Sequence, residues 1–324
     1  MGDAISSRFS VARQRGRWRR ARSRRGCRWS VSSKAEPPTK NRARAFRVGL
    51  SRAGYIDGQN VTVEYHWLGG QFGQLPLLIS DLVQRRAGGL AALGSPQIAI
   101  AAKAATETIP IVFSIGDDPV RLGLVASLSR PGGNVTGFNA FNTEVIAKRL
   151  SLMQDLAPAA VDIAALVNPA TVPARVTAQR VQEAARSLGL RVRVLNASTS
   201  REIDEAFATF TREHTDALFV APSAFFSSRR AQLANLAARD RIPASYASRE
   251  SVAAGGLMSY GTDIKDSYRQ AGVYIGSILK GAKAGDLPVM QATKFEFVIN
   301  LQTAKTLNIE IPPTLLARAD EVIE

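Results

Sequence analysis

The sequence predicts an α/β protein with mostly parallel strands and about two domains, and three observations carry that expectation. From residue 46 onward, short β-rich runs alternate with amphipathic helical stretches, the pattern of layered α/β folds. The chain has 324 residues, 45% of them apolar and 21% charged, and at roughly 150 residues per domain that length supplies about two cores. The turns closing the β-rich runs are small and polar, which suits a ligand crevice beyond the carboxyl ends of parallel strands.

In chain order, strands are expected at 61–66, 89–93, 110–114, 135–138, 163–167, 191–195, 217–220, 244–246 and 295–299. Between them lie apolar stripes at helical spacing. Leu75, Leu78, Ile79, Leu82 and Val83 form one; Ile264, Tyr268, Ala271, Ile275, Ile278 and Leu279 form another. Ser200 precedes a helix carrying Ile203, Ala206, Phe207 and Phe210, and Glu202 and Asp204 fall in its first turn, where the helix dipole favours anions. These stripes read as core rather than as site.

Composition removes several classes of chemistry. One cysteine, Cys27, and two histidines, His66 and His214, cannot build a disulfide framework or a Cys/His zinc site. The longest uncharged run, 87–102, is too short and too interrupted to span a bilayer. No G-x-G-x-x-G follows a strand, no G-x-x-x-x-G-K or G-x-S-x-G occurs, and the glycines of 132–137 lead into a strand rather than out of one. No catalytic residues, metal ligands or cofactor are therefore expected. The net charge is +15, but residues 1–45 hold 14 Lys/Arg against two acids, which leaves 28 basic and 25 acidic residues for 46–324. The charge belongs to a terminal segment, so it implies no specific nucleic-acid partner.

The candidate ligand-facing residues are those of the turns after the strands. They are Gly94 and Ser95, then Gly116, Asp117 and Asp118, then Asn139, Asn168, Pro222 and Ser223, then Tyr246 with Glu250, and finally Tyr260 and Gly261. Each also suits an ordinary turn. Taken together, from both halves of the chain, they are expected to line one cleft, and helix N-termini beside Ser95 and Pro119 would offer N–H groups to a carboxylate.

Seven segments in order then carry a resemblance. Residues 54–61 read GYIDGQNV, 101–106 AAKAAT with IPIVF at 109–113, 129–137 SRPGGNVTG, 226–230 FSSRR, 255–261 GGLMSYG, 271–274 AGVY and 315–321 LLARADE. Over residues 45–324 the chain strongly resembles the ABC-transporter substrate-binding family, whose studied members bind aromatic amino acids. The resemblance implies a type I periplasmic-binding-protein fold, with two doubly wound lobes and a hinge of three crossovers. One lobe is expected to be 36–141 plus 257–289, the other 142–256 plus 290–324. A small solute, an amino acid or carboxylate, would be held by hinge closure, and the closed form would be presented to an ABC permease at the membrane surface by a monomer. In that reading Ser95 and the amides of 116–118 hold a carboxylate, Asp117, Asp118 or Glu250 takes an ammonium group, and Tyr246 or Tyr260 covers the ligand.

The resemblance also places the protein in the periplasm, yet the expected secretory leader and apolar first strand are not recognisable. Residues 1–35 are expected to be disordered, or a frame-shifted translation of that leader and strand. A leader with Asp-Phe-Ile-Ser-Leu-Leu-Gly-Gly-Ala-Ala, read one nucleotide later, gives the string at 5–14. Positions 28–33 would then occupy the slot of a central strand, which makes both export and the first lobe doubtful. Two alternatives remain: a sugar-repressor-like regulator of the same two-lobe fold, and a defective binding protein.

Overall fold

The computed structural model describes residues 40–66, 68, 72–140, 145–171 and 174–324. The expectations for 1–35, including the strand slot at 28–33, lie outside them.

Among the described residues the first lobe begins with helix α1 (Lys40–Arg52), followed by α2 (Leu75–Gln84), β1 (Leu90–Leu93), α3 (Pro96–Ala105), β2 (Ile111–Ile115) and β3 (Val135–Asn139). The three strands are parallel, and every residue in them is buried, so alternation of polarity gives way to continuous apolar runs. One face packs on α2 and α3 through Ile79, Leu82, Ile98, Ile111 and Phe113. The other packs on α1 and on α10 (Ile264–Leu279) through Phe46, Leu50, Val112, Phe138 and Ile275. Helices α1 and α10 nearly touch: a Cβ on Gly272 would lie 2.1 Å from the Phe46 carbonyl oxygen, and one on Gly49 1.9 Å from that of Arg269.

The strand expected at 61–66 is not formed. Val61 makes one isolated bridge to Asp57, and the rest of the stretch has no strand pairing. Its alternating pattern is real, but a strand exists only by pairing, and no described strand lies beside β1 on that side.

The second lobe contains α4 (Val145–Leu156), β4 (Asp162–Val167), α5 (Ala174–Ser187), β5 (Arg191–Asn196), α6 (Ser200–Arg212), β6 (Ala217–Val220), α7 (Ala224–Ser228), α8 (Arg230–Arg239), β7 (Ala244–Tyr246), α9 (Arg249–Val252) and β8 (Met258–Thr262). The chain then returns to the first lobe for α10 and β9 (Met290–Gln291). It finishes in the second with β10 (Phe295–Asn300), α11 (Leu301–Thr306), α12 (Pro313–Leu316) and β11 (Glu321–Ile323). The seven-stranded sheet runs β11-β10-β8-β7-β6-β4-β5, with β10 antiparallel to β8. Helices cover both of its faces, through Leu150, Val181 and Phe219 on one side and Phe207, Phe210 and Leu233 on the other. Ser200 sits inside α6. The N-cap is Thr199, and its hydroxyl and the Glu202 carboxylate form a reciprocal capping box.

Two lobe boundaries fall later than the sequence suggests. Strand β8 pairs with β7 and β10, so 258–262 belongs to the second sheet, while β9 pairs with β3 and places 290–291 in the first. Among the described residues the chain thus crosses between the lobes three times, between Ala140 and Val145, at 262–264 and at 291–295. The crossovers are bonded to one another: Thr262 Oγ1 donates to the Ala140 carbonyl at 2.5 Å, and Asp263 N to that of Lys294 at 3.0 Å.

Candidate ligand cleft

A cleft of about 600 Å³ opens at the carboxyl ends of the parallel strands, between the two lobes. Its first-lobe wall is built where β1 and β2 end. Gly94, with φ of 91°, turns the chain out of β1 in the left-handed region that glycine adopts freely. That turn places Ser95 as the N-cap of α3 with Pro96 in the first turn. The Ser95 hydroxyl makes no capping bond and instead donates to Gln97 Oε1. Beyond β2, Gly116 and Asp117 line the same wall. Asp117 is buried, and burial pushes its carboxyl up to about 6 although Arg121 pulls the other way.

The second-lobe wall is made by loops after β4, β6 and β7. Asn168 Nδ2 donates to Ser223 Oγ at 3.3 Å, and its Oδ1 accepts from Ala170 N at 2.9 Å. Ser223 caps α7 by accepting from Phe226 N at 3.3 Å. Pro222, Phe225, Arg229 and Ser248 complete this side, with the Arg229 guanidinium 6.0 Å from the Phe225 ring centroid. Arg229 forms no ion pair among the described residues.

Of the residues expected from the sequence, Gly94, Ser95, Gly116, Asp117, Asn168, Pro222 and Ser223 line this cleft. Six do not. Asp118 turns away, accepting from Val120 N at 2.9 Å and Arg121 N at 3.2 Å to hold its own turn. Asn139 ends β3 inside the fold, and its carbonyl accepts from Ala292 N in the third crossover. Tyr246 lies in the core on the face packed by α6 and α8, where burial raises its phenol pKa. Tyr260 packs on Phe295 and Phe297 at 6.0 and 6.5 Å. Gly261 serves a close approach of main chains, since a Cβ there would meet the Ala247 carbonyl oxygen at 2.2 Å. Glu250 is bound by Arg42, which donates Nε to Oε1 at 3.1 Å and also through Nη2.

Sequence reading missed Arg42, Phe72, Phe225 and Tyr268, all of which line the cleft. Arg42 belongs by composition to the basic terminal stretch, but the structure places it in α1, 5.9 Å from the Tyr268 ring centroid and joined across the lobes to Glu250 in α9. Burial lowers its pKa, but Glu250 and Tyr268 outweigh that and raise it, so it is a fixed cation. No cluster of His, Cys, Asp or Glu able to hold a metal occurs among the described residues. The arrangement offers one buried carboxylate, several neutral hydrogen-bonding groups, two cations and three aromatic rings. Those groups suit reversible capture of a small polar solute with an apolar part.

Comparison with known proteins shows the family. A "Tyrosine-binding protein" of Clostridioides difficile (strain R20291) is 29% identical over 281 residues, 86% of this chain and 80% of that protein. A Streptococcus pneumonia ABC domain solved in complex with L-Trp superposes with a TM-score of 0.83 at 25% identity, covering 92% of this chain and all of that one. A conserved domain protein from Vibrio cholerae gives the same score at 26% identity, over 91% and 99% of the two chains. The ABC transporter substrate binding protein model matches residues 35–323, and the chain belongs to that family as a solute-binding component.

Proposed function

We propose that the chain serves an ABC importer outside the cytoplasm, binding an amino acid with an aromatic side chain in the cleft and presenting the closed lobes to a permease. The observation that carries this reading is Asp117, a buried carboxylate in the lining of a cleft whose other polar side chains are uncharged or cationic. Asp117 takes the ligand's ammonium group. Ser95, the first amides of α3 and the second-lobe donors Ser223 and Asn168 take its carboxylate. Phe72, Phe225 and Tyr268 supply apolar and aromatic surface for the side chain. The relatives that bind tyrosine and L-Trp support an aromatic ligand. A ligand touching both walls stabilises the closed arrangement, so recognition and closure are one equilibrium. Among the described residues no helix is long and apolar enough to cross a membrane.

A thermal-shift screen of the full chain tests the reading. A ligand at 100 times its dissociation constant adds about 2.7 kcal/mol to the folded state. L-tyrosine or L-tryptophan is expected to raise the midpoint by several degrees and succinate to leave it unchanged. A shift with small dicarboxylates and none with amino acids would overturn the assignment.

A further inference from the structure

Arg149 is fully buried in the second lobe. It sits on α4 among Ile146, Leu150 and Met153, in an apolar stripe that a charge ordinarily disrupts. Its Nη2 donates to the carbonyl oxygens of Val220 and Ser245, each at 2.8 Å, and its guanidinium carbon lies 3.9 Å from the Phe219 ring centroid. No carboxylate pairs with it among the described residues, and its Nε and Nη1 have no hydrogen-bond partner there. Burial lowers its pKa to about 9, which leaves it cationic at neutral pH. An unpaired interior charge is costly, and an aliphatic side chain of similar length would fill the same space without that cost. What the charge touches is informative. Val220 and Ser245 are at or next to the ends of β6 and β7, two residues before Pro222 and Ala247, both in the cleft wall.

We propose that Arg149 is a positioning residue of the cleft, a desolvated cation that ties the ends of two neighbouring strands together and makes the wall behind Pro222 and Ser223 attractive to the carboxylate of the ligand. The inference rests on the amino-acid reading for the identity of the ligand but not for the field itself. In a region of low dielectric, an uncompensated charge close behind a wall acts through it. The guanidinium also holds the carbonyl oxygens of Val220 and Ser245. Its role is to orient the site and set its potential, with no contact to the ligand.

The test introduces a thiol as a reporter of that potential, in the full chain carrying Cys27→Ser and Ser223→Cys. Alkylation by iodoacetamide at pH 7.0 follows the thiolate fraction. Arg149→Met and Arg149→Gln are expected to slow it three- to tenfold, and Arg149→Lys, which keeps the charge, to stay within twofold of the parent. Either neutral variant suffices if the other fails to fold. In the Ser223 background, the preference for L-tyrosine over L-tyrosinamide should fall by a similar factor in the neutral variants, whereas simple damage to the lobe would weaken both ligands alike. Equal alkylation rates in folded neutral and charged variants would overturn the proposal. Failure of the parent to bind any amino acid would count against the ligand assignment alone, because the thiol comparison still decides the role of Arg149.

Discussion

Replacing Asp117 with asparagine separates the two effects of a buried carboxylate in a binding cleft. Burial raises the group from 3.8 to about 6, and about two pKa units correspond to roughly 3 kcal/mol between its protonation states. The folded protein holds this proton more tightly than the unfolded chain. The stability contributed by the protonated form is therefore fully present below about pH 4 and lost as pH rises through about 6. At pH 7.5 the empty Asp117→Asn protein should thus be about 1–3 kcal/mol more stable than the parent. Binding moves the opposite way. An ammonium group pairs only with the ionised carboxylate, so affinity for L-tyrosine should be level above pH 6 and weaken about tenfold per pH unit below it. Asparagine should cost about 2–3 kcal/mol of binding, roughly 30- to 150-fold, and abolish the acid limb. Calorimetric titration from pH 5 to 8, with urea unfolding of the empty proteins, reads both effects. A variant that binds within threefold of the parent, or keeps the parent's pH dependence, would refute the role given to Asp117.

Three further outcomes follow from particular contacts. Arg42→Met removes the ion pair joining α1 to Glu250 of the other lobe; because the pair forms only with the lobes together, stopped-flow should show about three- to tenfold faster ligand release. Gly272→Ala forces a methyl group against the Phe46 carbonyl and should destabilise the first lobe by about 1–3 kcal/mol in urea unfolding, with weakened ligand binding because Arg42 and Tyr268 move with the two helices. Thr199→Ala breaks the capping box of α6 next to Ser198 of the cleft lining, so it should cost about 1 kcal/mol of stability in urea unfolding and, since Thr199 does not itself line the cleft, change affinity by less than about threefold.

Much of the fold could be read because its signals are local. The continuous apolar runs at β1, β2 and β4 flanked by helical stripes give a covered parallel sheet, and the helix carrying Ile203, Phe207 and Phe210 lies where its spacing puts it, with its cap at Thr199, one residue before the expected Ser200. Residues 61–66 show the limit, since their composition is that of a strand but pairing depends on a neighbour that periodicity cannot supply. In the site, position after a strand found Ser95, Asp117, Asn168 and Ser223 because ligands sit at carboxyl ends in this architecture. The same rule failed for Tyr246, where strand parity decides. Tyr246 shares a face with Ala244 and therefore points into the core. Arg42 carried no signal among many arginines. Arg149 did carry one, a charge at helical spacing with Ile146, Leu150 and Met153, but its partners are main-chain carbonyls 71 and 96 residues away, which no local pattern discloses.

Calorimetric titration of the full chain with L-tyrosine and L-tryptophan at pH 7.5 decides whether an amino acid binds between the lobes. Saturable one-to-one binding of at least one of them is expected, with the negative heat-capacity change of buried aromatic surface. A cooperatively folded protein that gives no saturable heat with either, or with any other amino acid, would contradict it.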